Sequence, residues 1–93
     1  MREIDRSTAF RRDYKRERKG QHGRALAARF DSILASLLND APLPEACRDH
    51  ALSGQWLGYR DCHIWPDLVL IYRKPDAYTL HLARLGSHAE LFE

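Results

Sequence analysis

The sequence has few of the features from which a small chain's chemistry is usually read. It has only two cysteines, Cys47 and Cys62, far apart and without a C-x-x-C pair. That leaves no dithiol redox motif and fits a reducing cytosol. No stretch approaches the roughly 18 apolar residues of a membrane span. The N-terminus is charged from Arg2 onward and lacks the apolar segment of a secretion signal. There are no internal repeats, and no H-x-x-x-H or H-E-x-x-H spacing that would build a metal site on one helix. Net charge is small, +2. These absences point to one small domain over residues 1–93, expected in the cytoplasm and away from membranes.

Charge is unevenly distributed. Residues 1–24 carry nine Lys/Arg against four Asp/Glu, 9 − 4 = +5, and the remainder carries six against nine, 6 − 9 = −3. A basic N-terminal segment fits a polyanion or an acidic protein partner. Within it Ser7 reads as a helix N-cap. Phe10 and Tyr14, one turn apart, give the helix to about Lys19 a thin apolar stripe, before Gly20 and Gly23 end it. From Arg24 to Leu38, Leu26, Phe30, Ile33, Leu34, Leu37 and Leu38 fall on one helical face of about 22 Å. Asn39-Asp40, Pro42 and Pro44 stop that helix.

After an irregular stretch over 41–55, three strands are expected: Trp56–Ile64, Leu68–Arg73 and Tyr78–Arg84. Pro66-Asp67 and Pro75-Asp76 supply the turns. Arg2–Arg6 reads as a short edge strand. The fold class is therefore α+β: an N-terminal helical hairpin packed on one face of a small antiparallel β-sheet, with the other face partly open.

The hairpin centred on Pro66 concentrates the polar chemistry. With period two, Tyr59, Asp61 and His63 share the open face, and Arg60, Cys62 and Ile64 share the other. Asp61, His63 and Asp67 are expected to gather at one end of it. His50, His81 and His88 add to a histidine-rich C-terminal half, and histidine exchanges protons near neutrality. RNA cleavage without a metal needs such groups. One takes the 2′-OH proton, another protonates the leaving 5′-oxygen, and a cation such as Arg60 or Arg84 steadies the phosphorane. A two-histidine, one-carboxylate metal site from His63, Asp67 and His88 is the rival use of the same residues. His81, mid-strand with no polar neighbour at close spacing, reads as structural.

Asp49-His50-Ala51-Leu52-Ser53-Gly54, Trp56-Leu57-Gly58-Tyr59-Arg60-Asp61-Cys62-His63, Pro66-Asp67-Leu68-Val69-Leu70-Ile71-Tyr72 and Gly86-Ser87-His88-Ala89-Glu90-Leu91-Phe92 resemble, in order and spacing, the YafQ branch of the RelE/ParE toxin superfamily. The resemblance is specific from Asp49 to Phe92 and rests on apolar pattern and basic character in the helices. It implies a RelE-like fold and a bacterial toxin of a type II toxin–antitoxin pair. Such a toxin is an endoribonuclease that cuts mRNA in the ribosomal A site without a cofactor or metal. It is neutralised by a cognate antitoxin, usually ribbon-helix-helix, through which alone the pair reaches operator DNA.

By the resemblance, His50, His63, Asp67 and His88 fall on catalytic positions, Asp61 on a supporting acid and Phe92 on a substrate-holding aromatic. His88 is taken as general acid and His63 as base, oriented by Asp61 or Asp67. Related sequences often carry tryptophan after the proline-aspartate pair; here that position is Leu68, and Trp65 precedes the proline. Two other classes compete with the nuclease. A toxin of the same superfamily that inhibits DNA gyrase needs no acid–base cluster. A free-standing RNA-binding module would bind without cutting, and no RRM-type aromatic motif is present.

Overall fold

The computed structural model describes residues 1–92. The chain begins with strand β1 (Glu3–Arg6), followed by helices α1 (Thr8–Arg18) and α2 (Gly23–Leu38). Ser7 caps α1: its Oγ accepts from the Phe10 N–H at 2.8 Å and donates to the Ala83 carbonyl at 2.7 Å. The cap thus ties the helix start to the last strand as well as satisfying an orphan N–H. Ser7→Ala should cost about 1–2 kcal/mol, measured by denaturant unfolding with an unchanged m-value.

Phe10 and Tyr14 of α1 meet Phe30 of α2, with ring centroids 5.3–6.0 Å apart. The hairpin between the helices closes so tightly that a Cβ on Gly23 would lie 2.2 Å from the Arg18 carbonyl oxygen, so only glycine fits. Helix α2 buries Leu26, Phe30, Ile33, Leu34 and Leu37, the spacing expected of one apolar face. It ends at Asn39, and Asp40 takes a left-handed conformation with φ 53°.

The rest of the sheet comprises β2 (His50–Ala51), β3 (Arg60–Trp65), β4 (Leu68–Arg73) and β5 (Thr79–Gly86), in the order β1-β5-β4-β3-β2. The three-strand antiparallel meander β3-β4-β5 forms as expected. β1 pairs with β5 in parallel, so the sheet is mixed. Hairpin turns force the meander antiparallel, whereas no short turn links β1 to β5 and fixes its direction. The strand expected from Trp56 starts only at Arg60. Gly54 (φ 64°) and Gly58 (φ 94°) bend the chain ahead of it, and residues 54–56 form a single 3-10 turn.

Two cores sandwich the sheet. The larger joins both helices to Cys62, Ile64, Leu68, Leu70, Tyr72, Leu80, Leu82 and Leu85. The smaller, on the face expected to be open, gathers Val69, Ile71, Ala83 and Leu91 under Leu52, Trp56, Tyr59 and Phe92. Leu91 and Phe92 reach it from a short C-terminal helix, α3 (His88–Phe92). With both faces of β4 covered, its run of apolar residues without alternation is explained. Among the described residues, no helix is long and apolar enough to cross a membrane.

Candidate active site

The face that carries α3 also carries the polar cluster. Asp61 and His63 of β3 stand opposite Ile71 and Val69 of β4, both in the smaller core. His50 of β2 stands opposite Asp61. Helix α3 brings His88 over this surface. A reciprocal capping box holds its start: the Ser87 N–H donates to Glu90 Oε1 at 2.9 Å, and the Glu90 N–H donates to Ser87 Oγ at 3.2 Å. The rings of His63 and His88 are 5.4 Å apart, and those of His88 and Phe92 are 4.9 Å apart. Asp61, His63 and His88 each offer one polar atom, and these all lie within 4.8 Å of one another.

Asp61 is 1% exposed, and neither carboxylate oxygen has a hydrogen bond of good geometry. His50 Nδ1 is 3.1 Å from Oδ1, yet it lies only 2.7 Å from the Arg48 carbonyl. A carbonyl can only accept, so Nδ1 carries a hydrogen directed mainly at Arg48, and Nε2 is the nitrogen left for proton exchange. Burial pushes the Asp61 carboxyl above the usual aspartate range, and the positive charge available on His50, His63 and His88 offsets this only in part. A buried acid left without donors is an expense to the fold, and such groups cluster at functional sites.

Asp61→Asn should therefore stabilise the fold at neutral pH by on the order of 1 kcal/mol while impairing the site. The folded-state pKa lies above the ordinary 3.8, so as pH falls the folded wild type takes up this proton before the unfolded chain does. The variant's advantage should then shrink as pH drops through the folded-state value, as urea unfolding at two pH values would reveal.

Asp67 does not join this cluster. An extra residue in β3 shifts the register between His63↔Val69 and Trp65↔Leu68. This bulge turns Trp65 to the helix side, where it packs against the larger core. Asp67, just beyond, pairs with the α1–α2 connection: its Oδ1 is 2.8 Å from His22 Nε2, and Gln21 donates to Oδ2. His22 in turn stacks on Trp65 at 4.1 Å and 4°. The residues that approach as a possible metal set are thus Asp61, His63 and His88, rather than His63, Asp67 and His88.

Neither expected cation stands free beside the cluster. Arg60 lies on the opposite face, as its place in the alternation requires, and its Nε and Nη2 donate to Asp49 at 3.3 Å. Asp49 also accepts from the Tyr72 hydroxyl at 2.6 Å. Arg84 stands opposite Ile71, on the cluster's face, but its guanidinium reaches Asp13 of α1 at 2.7 and 3.2 Å. Sequence reasoning also missed the partner of His81, which is Asp5 at 2.7 Å across the β1–β5 pairing. Only the parallel register creates that contact. The capping box of α3 was signalled, since Ser87 and Glu90 stand at the S-x-x-E spacing.

Several known proteins share this arrangement of strands and helices. The mRNA interferase toxin YafQ of Escherichia coli B/BL21-DE3 is 38% identical over 93 residues, which cover 99% of this chain and 97% of that protein. The YafQ chain in a crystal structure of the E. coli DinJ-YafQ toxin-antitoxin complex superposes with TM-score 0.79 at 35% identity, covering 99% of this chain and 98% of that one. A metal-bound toxin from Helicobacter pylori superposes with TM-score 0.85 at 36% identity, covering 99% and 100%. The family model of the bacterial toxin YafQ of type II toxin-antitoxin systems matches residues 2–93. With its whole length matched and its structure superposing on members of the group, the chain belongs to the YafQ family of type II toxins.

Proposed function

We propose that this toxin is an endoribonuclease that cuts mRNA on the translating ribosome by metal-free acid–base catalysis. The observation that carries the proposal is the convergence of Asp61, His63 and His88 within 4.8 Å on one sheet face, beside the Phe92 ring. His63 takes the proton from the 2′-OH, whose oxygen attacks the adjacent phosphorus. His88 gives a proton to the departing 5′-oxygen, and a 2′,3′-cyclic phosphate forms. Asp61, close to both rings in a site of low dielectric, favours the imidazolium that His63 becomes. His50 Nε2 offers a further proton site at the rim. Arg84 uses two of its five N–H groups on Asp13 and directs the others at the phosphorane charge. Phe92 stacks on a base beside the cut. Asp67 acts from the hairpin tip, held by His22 at the far end of β3 from Asp61.

A cognate antitoxin of ribbon-helix-helix type neutralises the toxin and carries the pair to operator DNA. The basic run of α1 docks on ribosomal RNA, a salt-sensitive contact. Primer extension on mRNA in a translating extract, beside naked mRNA, tests the activity. Codon-phased cuts confined to the translated sample are expected. Absence of cuts in both would favour gyrase inhibition.

A second reading applies to the same cluster. Two H. pylori relatives are titled as metal-bound and copper-bound toxins. Asp61, His63 and His88 here present two nitrogens and a carboxylate oxygen at a spacing a transition metal accepts. A cation there would occupy the lone pairs that proton transfer needs, so on this reading zinc or copper inhibits. Chelation leaves cleavage intact if the metal is an inhibitor and abolishes it if the metal is a cofactor.

A further inference from the structure

The smaller core continues past the catalytic cluster into a row of rings that the mechanism does not use. Trp56 packs edge-on against Tyr59, with centroids 5.2 Å apart and an angle of 83°. The Trp56 indole N–H donates to the Leu91 carbonyl at 3.4 Å, next to Phe92. Tyr59 lies 6.4 Å from His81, and the Arg73 guanidinium lies 5.3 Å above the Tyr59 ring. Trp56, Tyr59 and His81 are each only half-buried, and Arg73 is exposed. Arg73 pairs with a ring where most other arginines of this sheet pair with carboxylates, and among the described residues it makes no ion pair. The nearby acid, Asp5, is held by His81 at the far edge.

We infer that this row is a single-stranded RNA track: nucleotides on one side of the scissile phosphate lie along Trp56 and Tyr59, and Arg73 neutralises one of their phosphates. The inference rests on the nuclease reading and adds where the substrate strand runs. Three features support it. The row is continuous with Phe92 and so with the cluster. From Val69, beside His63, to Arg73 is four strand residues, about 13 Å, which extends the surface beyond the cleaved linkage. Aromatic faces with an unpaired guanidinium are also what strand binding without sequence readout requires. A purely structural row would bury its rings fully and would have no use for a free cation.

The test uses the full-length toxin on ribosomes programmed with one mRNA. First, the wild type must cut that mRNA; if it does not, the nuclease reading fails and the track fails with it. Where it cuts, Arg73→Glu, a change at an exposed position that leaves both cores intact, should raise KM on the order of tenfold at unchanged kcat. Second, 4-thiouridine is placed next to the cut, on either side, and irradiated with the uncleaving His88→Ala variant. Crosslinks should map to residues 56–59 or to Arg73 from one side only. Unchanged KM for Arg73→Glu, or crosslinks confined to Phe92, α1 and the ribosome, would overturn the track and leave the nuclease reading standing.

Discussion

Replacing His88 by alanine should lower the cleavage rate about 10²–10⁴-fold and leave the unfolding midpoint nearly unchanged. The ring is exposed and forms no part of either core, so its loss removes a proton donor and little packing. The capping box of α3 is built from Ser87 and Glu90 and survives the substitution. Single-turnover cleavage on programmed ribosomes, beside thermal unfolding of the same preparation, checks both halves of the expectation. A variant that cuts at the wild-type rate would remove His88 from the role of general acid. A variant that fails to fold would show that α3 depends on the ring in a way its contacts do not reveal.

Asp13→Ala should be the most damaging single change to stability outside the apolar core, about 3 kcal/mol. Asp13 is 2% exposed. It accepts from Arg84 Nε at 2.7 Å and Nη2 at 3.2 Å, from the Leu85 N–H at 3.0 Å and from Arg16 Nη1 at 3.1 Å. Removing it leaves a buried backbone donor and two guanidinium groups without their acceptor, and loosens α1 from β5. The arginines are partly solvated, which places the cost at the low end of the range for buried pairs.

Burial alone would raise the Asp13 pKa, but the hydrogen bonds from Arg84 and Leu85 and the charges of Arg84 and Arg16 together hold it below the ordinary 3.8. Its contribution is therefore fully present above that ordinary value and is lost as pH falls through the folded-state pKa. The gap between wild type and Asp13→Asn in urea unfolding should narrow in acid. A gap independent of pH would mean that the ion pairs contribute nothing. The Asn variant also leaves Arg84 free to swing, so cleavage should fall along with stability if Arg84 steadies the phosphorane.

Asp13 and Asp61 are the buried acids of the molecule, and they differ in a way that separates structure from function. Asp13 is surrounded by donors, and its pKa falls. Asp61 lacks them, and its pKa rises. The first substitution should destabilise, the second should stabilise, and both should reduce cleavage by different routes.

Much of this arrangement could be read from residue order. The α2 face, the β4 run and the Pro66 and Pro75 turns each carry a local signal strong enough to fix an element. The alternation that put Asp61 and His63 opposite Arg60 and Cys62 held in β3, and it already placed Arg60 on the wrong face for the role it had been given. What failed depended on events between distant segments. A one-residue bulge near Ile64 sends Trp65 and Asp67 toward His22, and no spacing within the hairpin announces it. The parallel β1–β5 pairing joins residues about 76 positions apart and supplies the acid partner of His81. Arg84 has the right side chain on the right face, but Asp13 had to be brought beside it by the docking of α1. Helix α3 is only five residues long, below the length at which apolar periodicity speaks.

The chemistry of the cut ends tests the central claim most directly. The wild-type toxin would be incubated with programmed ribosomes in EDTA, and the terminal groups of the mRNA fragments determined. Proton transfer by His63 and His88 with attack by the 2′-OH leaves a 2′,3′-cyclic phosphate, or the 3′-phosphate it decays to, and a 5′-hydroxyl. Those ends, formed at an undiminished rate in EDTA, are the predicted result. A 3′-hydroxyl and a 5′-phosphate, or cleavage abolished by EDTA, would contradict it and assign the Asp61–His63–His88 cluster to a metal.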